Sequence, residues 1–170
     1  ENLGTLADPI FRNEPDTDWV LPENRKWADI IRKKWQPTEN SEVRKIPLVI
    51  GNTEVKSKRK QKEFFDPSQL NNPNNADIPP VYSVALATKT DVIKAVKIAK
   101  DDPSNWSETT LLERHELLSR AALNMRKKRG DLIGVAAAVC GKTFYETDSE
   151  ISEAIDFIEY YPHSLRLLEE

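Results

Sequence analysis

The side chains most able to do chemistry cluster around residues 140–156, and each has a functional and a structural meaning. Gly141-Lys142-Thr143 has the ending of a phosphate-binding loop, in which backbone amides wrap the phosphates and the lysine reaches their oxygens. That loop needs a glycine five positions before its Gly-Lys pair. Position 136 is Ala, and the nearest upstream glycine, Gly134, is two residues too far back. A helix also precedes the triplet, where the phosphate loop follows a strand, so the triplet reads as a helix end. Cys140 is the single thiol. At a helix C-terminus the dipole disfavours a thiolate, so a buried or half-buried structural cysteine is expected there. His115 lies on the apolar stripe of its helix and reads as a core-edge histidine. Together with His163 and Cys140 it is too isolated to suggest a zinc site.

Two charge clusters complete the inventory. Glu146, Asp148, Glu150, Glu153 and Asp156 form an acidic group, expected to be mostly solvated or to help a helix start. Glu150 closes the pattern Thr147-x-x-Glu150, a capping box that explains it without a substrate. Residues 56–62 (KSKRKQK) place five basic side chains in seven positions, a possible anion or nucleic-acid patch. No aromatic residue is interleaved for base stacking, and the chain as a whole carries 25 basic and 28 acidic residues. The stretch is therefore expected to be a solvated loop after a hairpin, useful against edge-to-edge strand pairing. No nucleic-acid partner is expected.

The elements that position these residues follow from pattern. The 170 residues suffice for one domain with a core, yet 38% are hydrophobic and 31% charged, which suggests long surface segments or missing partner surface. The start at Glu1 suggests a processed chain or an excised piece. One cysteine, no apolar run of membrane-spanning length and no signal-peptide pattern suggest a cytoplasmic protein without a membrane span. Nine of the eleven prolines precede residue 81, so the first half should be extended and the second helical. Residues 24–35 read either as a short amphipathic helix, carrying Trp27, Ile30, Ile31 and Trp35 and stopped by Pro37, or equally as an ordered arm with two surface-docked tryptophans. Residues 46–57 read as a hairpin about Gly51-Asn52, 66–80 as a loop, and 81–86 as an internal strand.

Four helices should follow. The first, about 90–100, has Val92, Ala95, Val96 and Ala99 on its stripe and Thr88-x-x-Asp91 before it. The second opens at Thr110-x-x-Glu113, buries Leu111, His115, Leu118, Ala122 and Met125, and ends near Gly130. The third runs from Asp131 to a stop at Gly141. The fourth opens at Thr147, turns Ile151, Ala154, Ile155, Ile158 and Tyr161 inward, and should kink or end at Pro162. The fold class is a helix-dominated α/β fragment: an extended N-terminal arm, a β-hairpin and strand, then four helices. The expected division is an arm with a short helix over residues 1–45 and a second region over 46–170.

Read in order, these motifs resemble the start of an aldehyde dehydrogenase. The strand at 81–87 runs into Ala87-Thr88-Lys89-Thr90-Asp91-Val92-Ile93-Lys94-Ala95-Val96. Trp106 precedes Glu113-Arg114 and Leu117-Leu118, and Gly141-Lys142 precedes Glu150, Ala154-Ile155-Asp156-Phe157 and Tyr160-Tyr161. Phe11-Arg12-Asn13-Glu14-Pro15-Asp16-Thr17-Asp18, Leu21-Pro22-Glu23-Asn24-Arg25 and Pro162 after the paired tyrosines are similar to the glutamate-semialdehyde (1-pyrroline-5-carboxylate) dehydrogenases of bifunctional proline-utilisation enzymes.

The resemblance implies that 46–170 is an incomplete N-terminal part of such a domain, inactive by itself. In the family the NAD-binding strand, the nucleophilic cysteine and the catalytic glutamate lie further along than these motifs. Cys140 does not match the nucleophile's motif. NAD is the implied cofactor of the full enzyme, and FAD that of a fused proline dehydrogenase half. Glu150 is implied to approach the aldehyde pocket and meet the substrate's amino group. The remainder of the domain is the implied partner, and self-association is expected where it is missing. The alternative from a different class is a free-standing helical interaction module, docking through Trp27, Trp35 and the basic 56–62 stretch.

Overall fold

The computed structural model describes residues 11–38, 40–68 and 79–169. Most of the expected 66–80 loop lies outside the described residues. The chain divides into two compact units. One holds the described residues up to 36, 109–137 and 142–169; the other holds those of 37–108 with 138–141.

The first unit is helical. Helix α1 spans Pro22–Trp35, with proline at its start, where the missing amide donor costs nothing. Its last turn carries Arg32, Lys33 and Lys34, which suit the negative end of the dipole. Gln36 leaves the helix in an extended conformation, as the steric demand of Pro37 on its predecessor requires. Ile31 is buried between half-buried Trp27 and Trp35.

Helix α3 (Leu111–Lys127) opens with the expected capping box: the Thr110 amide donates to Glu113 at 2.8 Å, and the Glu113 amide to Thr110 Oγ1 at 3.2 Å. Its stripe is inward as expected, with Ala122 fully buried. Helix α4 (Arg129–Cys140) is apolar on most sides, and α5 (Phe144–Glu169) packs against α3. Ile133 and Ile155 have no exposed surface.

Three boundaries differ from expectation. Gly130 does not end α3, which stops at Lys127. It lies in the first turn of α4, where the absence of a side chain lets Trp27 approach. Helix α5 begins one turn early, capped by Thr143. Pro162 removes one amide donor without ending α5, and Ser164 and Arg166 beyond it are still half-buried, so packing holds these turns. Tyr161, expected inward, is exposed because it lies six residues past buried Ile155, about 120° around the helix.

The second unit contains a three-stranded sheet in the order β1 (Arg44–Ile46), β5 (Tyr82–Ala85), β4 (Gln61–Phe64). Strand β5 is central, as its two-sided apolar pattern predicts, parallel to β1 and antiparallel to β4. Both outer strands were hidden in the sequence by their charges, Arg44-Lys45 and Lys62-Glu63, which suit edges exposed to water. The hairpin of β2 (Val49–Ile50) and β3 (Thr53–Glu54) is as expected. Gly51 and Asn52 have φ of 58° and 60°, the positive pair a primed turn needs.

Helix α2 (Lys89–Asp101) has its expected Thr88–Asp91 capping box, but it is rotated relative to the predicted stripe. Val92, Ala95, Val96 and Ala99 are exposed, and Asp91 and Ile98 face inward. Two contacts fix that rotation. Ile98 lies under the turn at Gly51, and Asp91 takes a bidentate ion pair from Arg59, at 2.9 Å to Nε and 2.8 Å to Nη2. Arg59 is therefore not part of a solvated basic loop.

Gly134 and Asp91 give two tests. A Cβ on Gly134 would stand 2.2 Å from Trp35 Cδ1 and 2.8 Å from Ile31 Cγ2. Gly134→Ala should therefore destabilise by about 1–3 kcal/mol through overpacking, against a gain in helix propensity of about 1 kcal/mol; a rise in urea midpoint would refute the packing. The hydrogen bond from Arg59, then those from Thr88, hold the Asp91 carboxyl well below its usual range. A lowered folded pKa gives stability that is complete above the unfolded value near about 4 and lost as pH falls through the folded one. Asp91→Asn should thus lower Tm at pH 7, with the gap to the native chain closing in acid. A gap constant with pH would show that the ionisation of Asp91 contributes nothing to stability.

Candidate functional site

The start of α5 is set by backbone chemistry. Gly141, at φ 67°, ends α4 in the left-handed conformation that closes helices. Two residues later the Thr143 amide donates to Glu146 Oε2 at 2.8 Å, while the Glu146 amide donates to Thr143 Oγ1 at 3.3 Å. Those amide and hydroxyl bonds, with a smaller contribution from Lys142, hold the Glu146 carboxyl below its ordinary value. The capping box is Thr143–Glu146, one turn before the expected Thr147–Glu150. Thr147 is instead fully buried, and its hydroxyl donates back to the Thr143 carbonyl at 3.0 Å.

This shift removes the capping explanation for Glu150. Its carboxylate points outward, with a side chain 49% exposed, and forms an ion pair with Lys142. It lines an open concavity of about 350 Å³ with Ser149, Ser152, Glu153 and Asp156 from the same helix and Glu14 and Asp16 from the arm.

The arm is held there by two carboxylates that were expected to be solvated. Asp148, 1% exposed, accepts from the Thr17 amide at 2.6 Å, the Thr17 hydroxyl at 3.0 Å and Arg129 Nε at 2.7 Å. Asp156 accepts from the Glu14 amide at 2.6 Å and Asn13 Nδ2 at 2.7 Å. Arg129, itself mostly buried, also donates to Ser152 Oγ at 2.6 Å and pairs with Glu14 at 3.5 Å. Arg126 joins Glu14 to Glu159 at 2.8 and 2.9 Å. Thr17, Arg129 and Ser152 were missed because their partners lie more than a hundred residues away or on another helix. The only signal was the arm's likeness to one subgroup.

The remaining candidates do not converge on Glu150. Cys140 is exposed, against the expectation of burial: it is the last residue of α4, beside the glycine that ends it. His115 is half-buried on α3. Among the described residues no cluster of His, Cys, Asp and Glu has metal-binding geometry, and no helix is long and apolar enough to cross a membrane.

A model of the aldehyde dehydrogenase family matches residues 57–170. The chain belongs to the aldehyde dehydrogenase family. It is 30% identical over 156 residues to the 1-pyrroline-5-carboxylate dehydrogenase of Staphylococcus aureus, covering 91% of this chain and 28% of that protein. The 1-pyrroline-5-carboxylate dehydrogenase from Thermus, solved with bound NAD, superposes with a TM-score of 0.77 at 28% identity, over 90% of this chain and 28% of the other. Proline utilization A from Bdellovibrio bacteriovorus superposes with a TM-score of 0.82 at 27% identity, over 95% of this chain and 16% of that one. The chain thus spans little more than a quarter of the curated relatives' length.

The two kinds of ion pair around the concavity should differ in strength. Asp148→Ala leaves a mostly buried guanidinium short of its main partner and should cost roughly 3–5 kcal/mol. Glu150→Gln breaks an exposed pair and should cost about 0–1 kcal/mol. Urea unfolding of this chain compares them; equal losses would contradict the burial of the Asp148–Arg129 pair.

Proposed function

We propose that this chain is the N-terminal segment of an NAD-dependent dehydrogenase that oxidises L-glutamate γ-semialdehyde to L-glutamate, and that it is noncatalytic on its own. The observation that carries the reading is the extent of the likeness. The broad family model begins at residue 57, whereas the match to a 1-pyrroline-5-carboxylate dehydrogenase covers 91% of the chain and so reaches into the arm. In that parent, thiolate addition to the aldehyde, hydride transfer to NAD and hydrolysis of the thioester belong to residues outside this segment. Glu150 supplies a carboxylate for the substrate's amino group. The superposition on proline utilization A over 95% of the chain supports a parent with a fused proline dehydrogenase half, to which FAD would belong.

The rest of the dehydrogenase domain is the partner we assign to the exposed apolar side chains Val92, Ile93 and Val96 of α2 and Phe157, Tyr161 and Leu168 of α5. Without it the chain self-associates through them. The rival reading, an interaction module docking through α1, loses support because its tryptophans are used internally. Trp27 stacks on Trp19 with centroids 5.9 Å apart, and Trp35 Nε1 donates to Asp131 at 3.2 Å.

NADH formation from L-glutamate γ-semialdehyde, measured on this chain and on the complete product of its gene, tests the proposal. Activity is expected only in the complete product, with Glu150→Ala raising KM about 10-fold or more for loss of a charged hydrogen bond. Activity in this chain alone, or in neither, would overturn it.

A further inference from the structure

Glu150 is not waiting as a bare carboxylate. Lys142, the single residue between the glycine that ends α4 and the threonine that caps α5, already holds Glu150 Oε1. The short link fixes where Lys142 starts, because Gly141 and Thr143 are both committed to helix ends. Lys142 and Glu150 are about 39% and 49% exposed, so the pair is in contact with water and can exchange partners. Glu150 Oε2 has no partner among the contacts of the described residues, and the carboxylate opens on the concavity lined by Glu14, Asp16 and Glu153.

Resting on the reading that Glu150 receives the substrate's amino group, we infer that Lys142 is a built-in competitor for that carboxylate and sets how strongly the site favours amino aldehydes. An incoming ammonium on Oε2 meets a carboxylate already neutralised by Lys142, and stands a few ångströms from a second positive charge. Two like charges sharing one carboxylate weaken the binding of the mobile one. An aldehyde without an amino group makes no such contact, so its binding is largely indifferent to Lys142. The lysine therefore tempers selectivity rather than creating it. Because both side chains are partly exposed, the effect is of surface ion-pair size and is screened by salt.

The test uses the complete gene product and two substrates, L-glutamate γ-semialdehyde and succinate semialdehyde, the second lacking an amino group. Lys142→Met should raise the ratio of kcat/KM for the amino aldehyde over the other by about 2- to 5-fold, mainly through KM. Salt in the molar range should shrink that gain, and Lys142→Arg should keep the native ratio. An unchanged or lower ratio in Lys142→Met, in a native enzyme that does oxidise glutamate semialdehyde, sinks the inference alone. A native enzyme that does not oxidise it, or whose KM for it ignores Glu150→Gln, overturns the reading of Glu150 and the inference with it.

Discussion

The helical unit depends on one guanidinium. Arg129 is mostly buried at the start of α4, and an unpaired charge there would cost several kcal/mol. Its partners come from two directions: Asp148 and Ser152 from α5, and Glu14 from the arm. Satisfying it forces the arm onto α5, and the arm's own amides complete the arrangement by donating to Asp148 and Asp156. Arm and helix together make the concavity on which Glu150 opens. The concavity is thus a by-product of neutralising a buried charge, and Glu150 takes no part in the helix cap because Glu146 has taken it over.

The same economy explains why much apolar surface is left over. Helix α5 buries Ile155 and half-buries Ile158 on one side and presents Phe157 and Tyr161, stacked at 5.6 Å, on another. In the other unit α2 turns Asp91 and Ile98 inward and leaves Val92, Ile93 and Val96 exposed. Neither face is satisfied by the described residues. Both fit a segment spanning 28% of its curated relatives' length, and both belong with the proposal that further protein covers them.

The sequence revealed features fixed by local chemistry and concealed those fixed by distant partners. Capping boxes at Thr88 and Thr110, the Gly51-Asn52 turn and the stop at Gly141 are each decided within a few residues, and each was legible. At α5 two consecutive Thr-x-x-Glu patterns, 143–146 and 147–150, competed, and the burial of Thr147 chose the earlier one. The rotation of α2 was not legible because Arg59, which anchors Asp91, lies 32 residues away inside a run that looks uniformly basic. Edge strands β1 and β4 were masked by the charges that suit them to edges. Glu150 was picked out by resemblance, while the Asp148–Arg129–Thr17 network behind it needed the fold to bring its members together.

Amide hydrogen exchange at Glu14 and Thr17, read residue by residue by NMR, tests most directly whether the arm is part of the structure that presents Glu150. These two amides donate to Asp156 and Asp148, so they should be protected as strongly as amides in the middle of α5. Exchange at the rate of an unstructured chain would mean the arm is not clamped, and the concavity beside Glu150 would lose one of its walls.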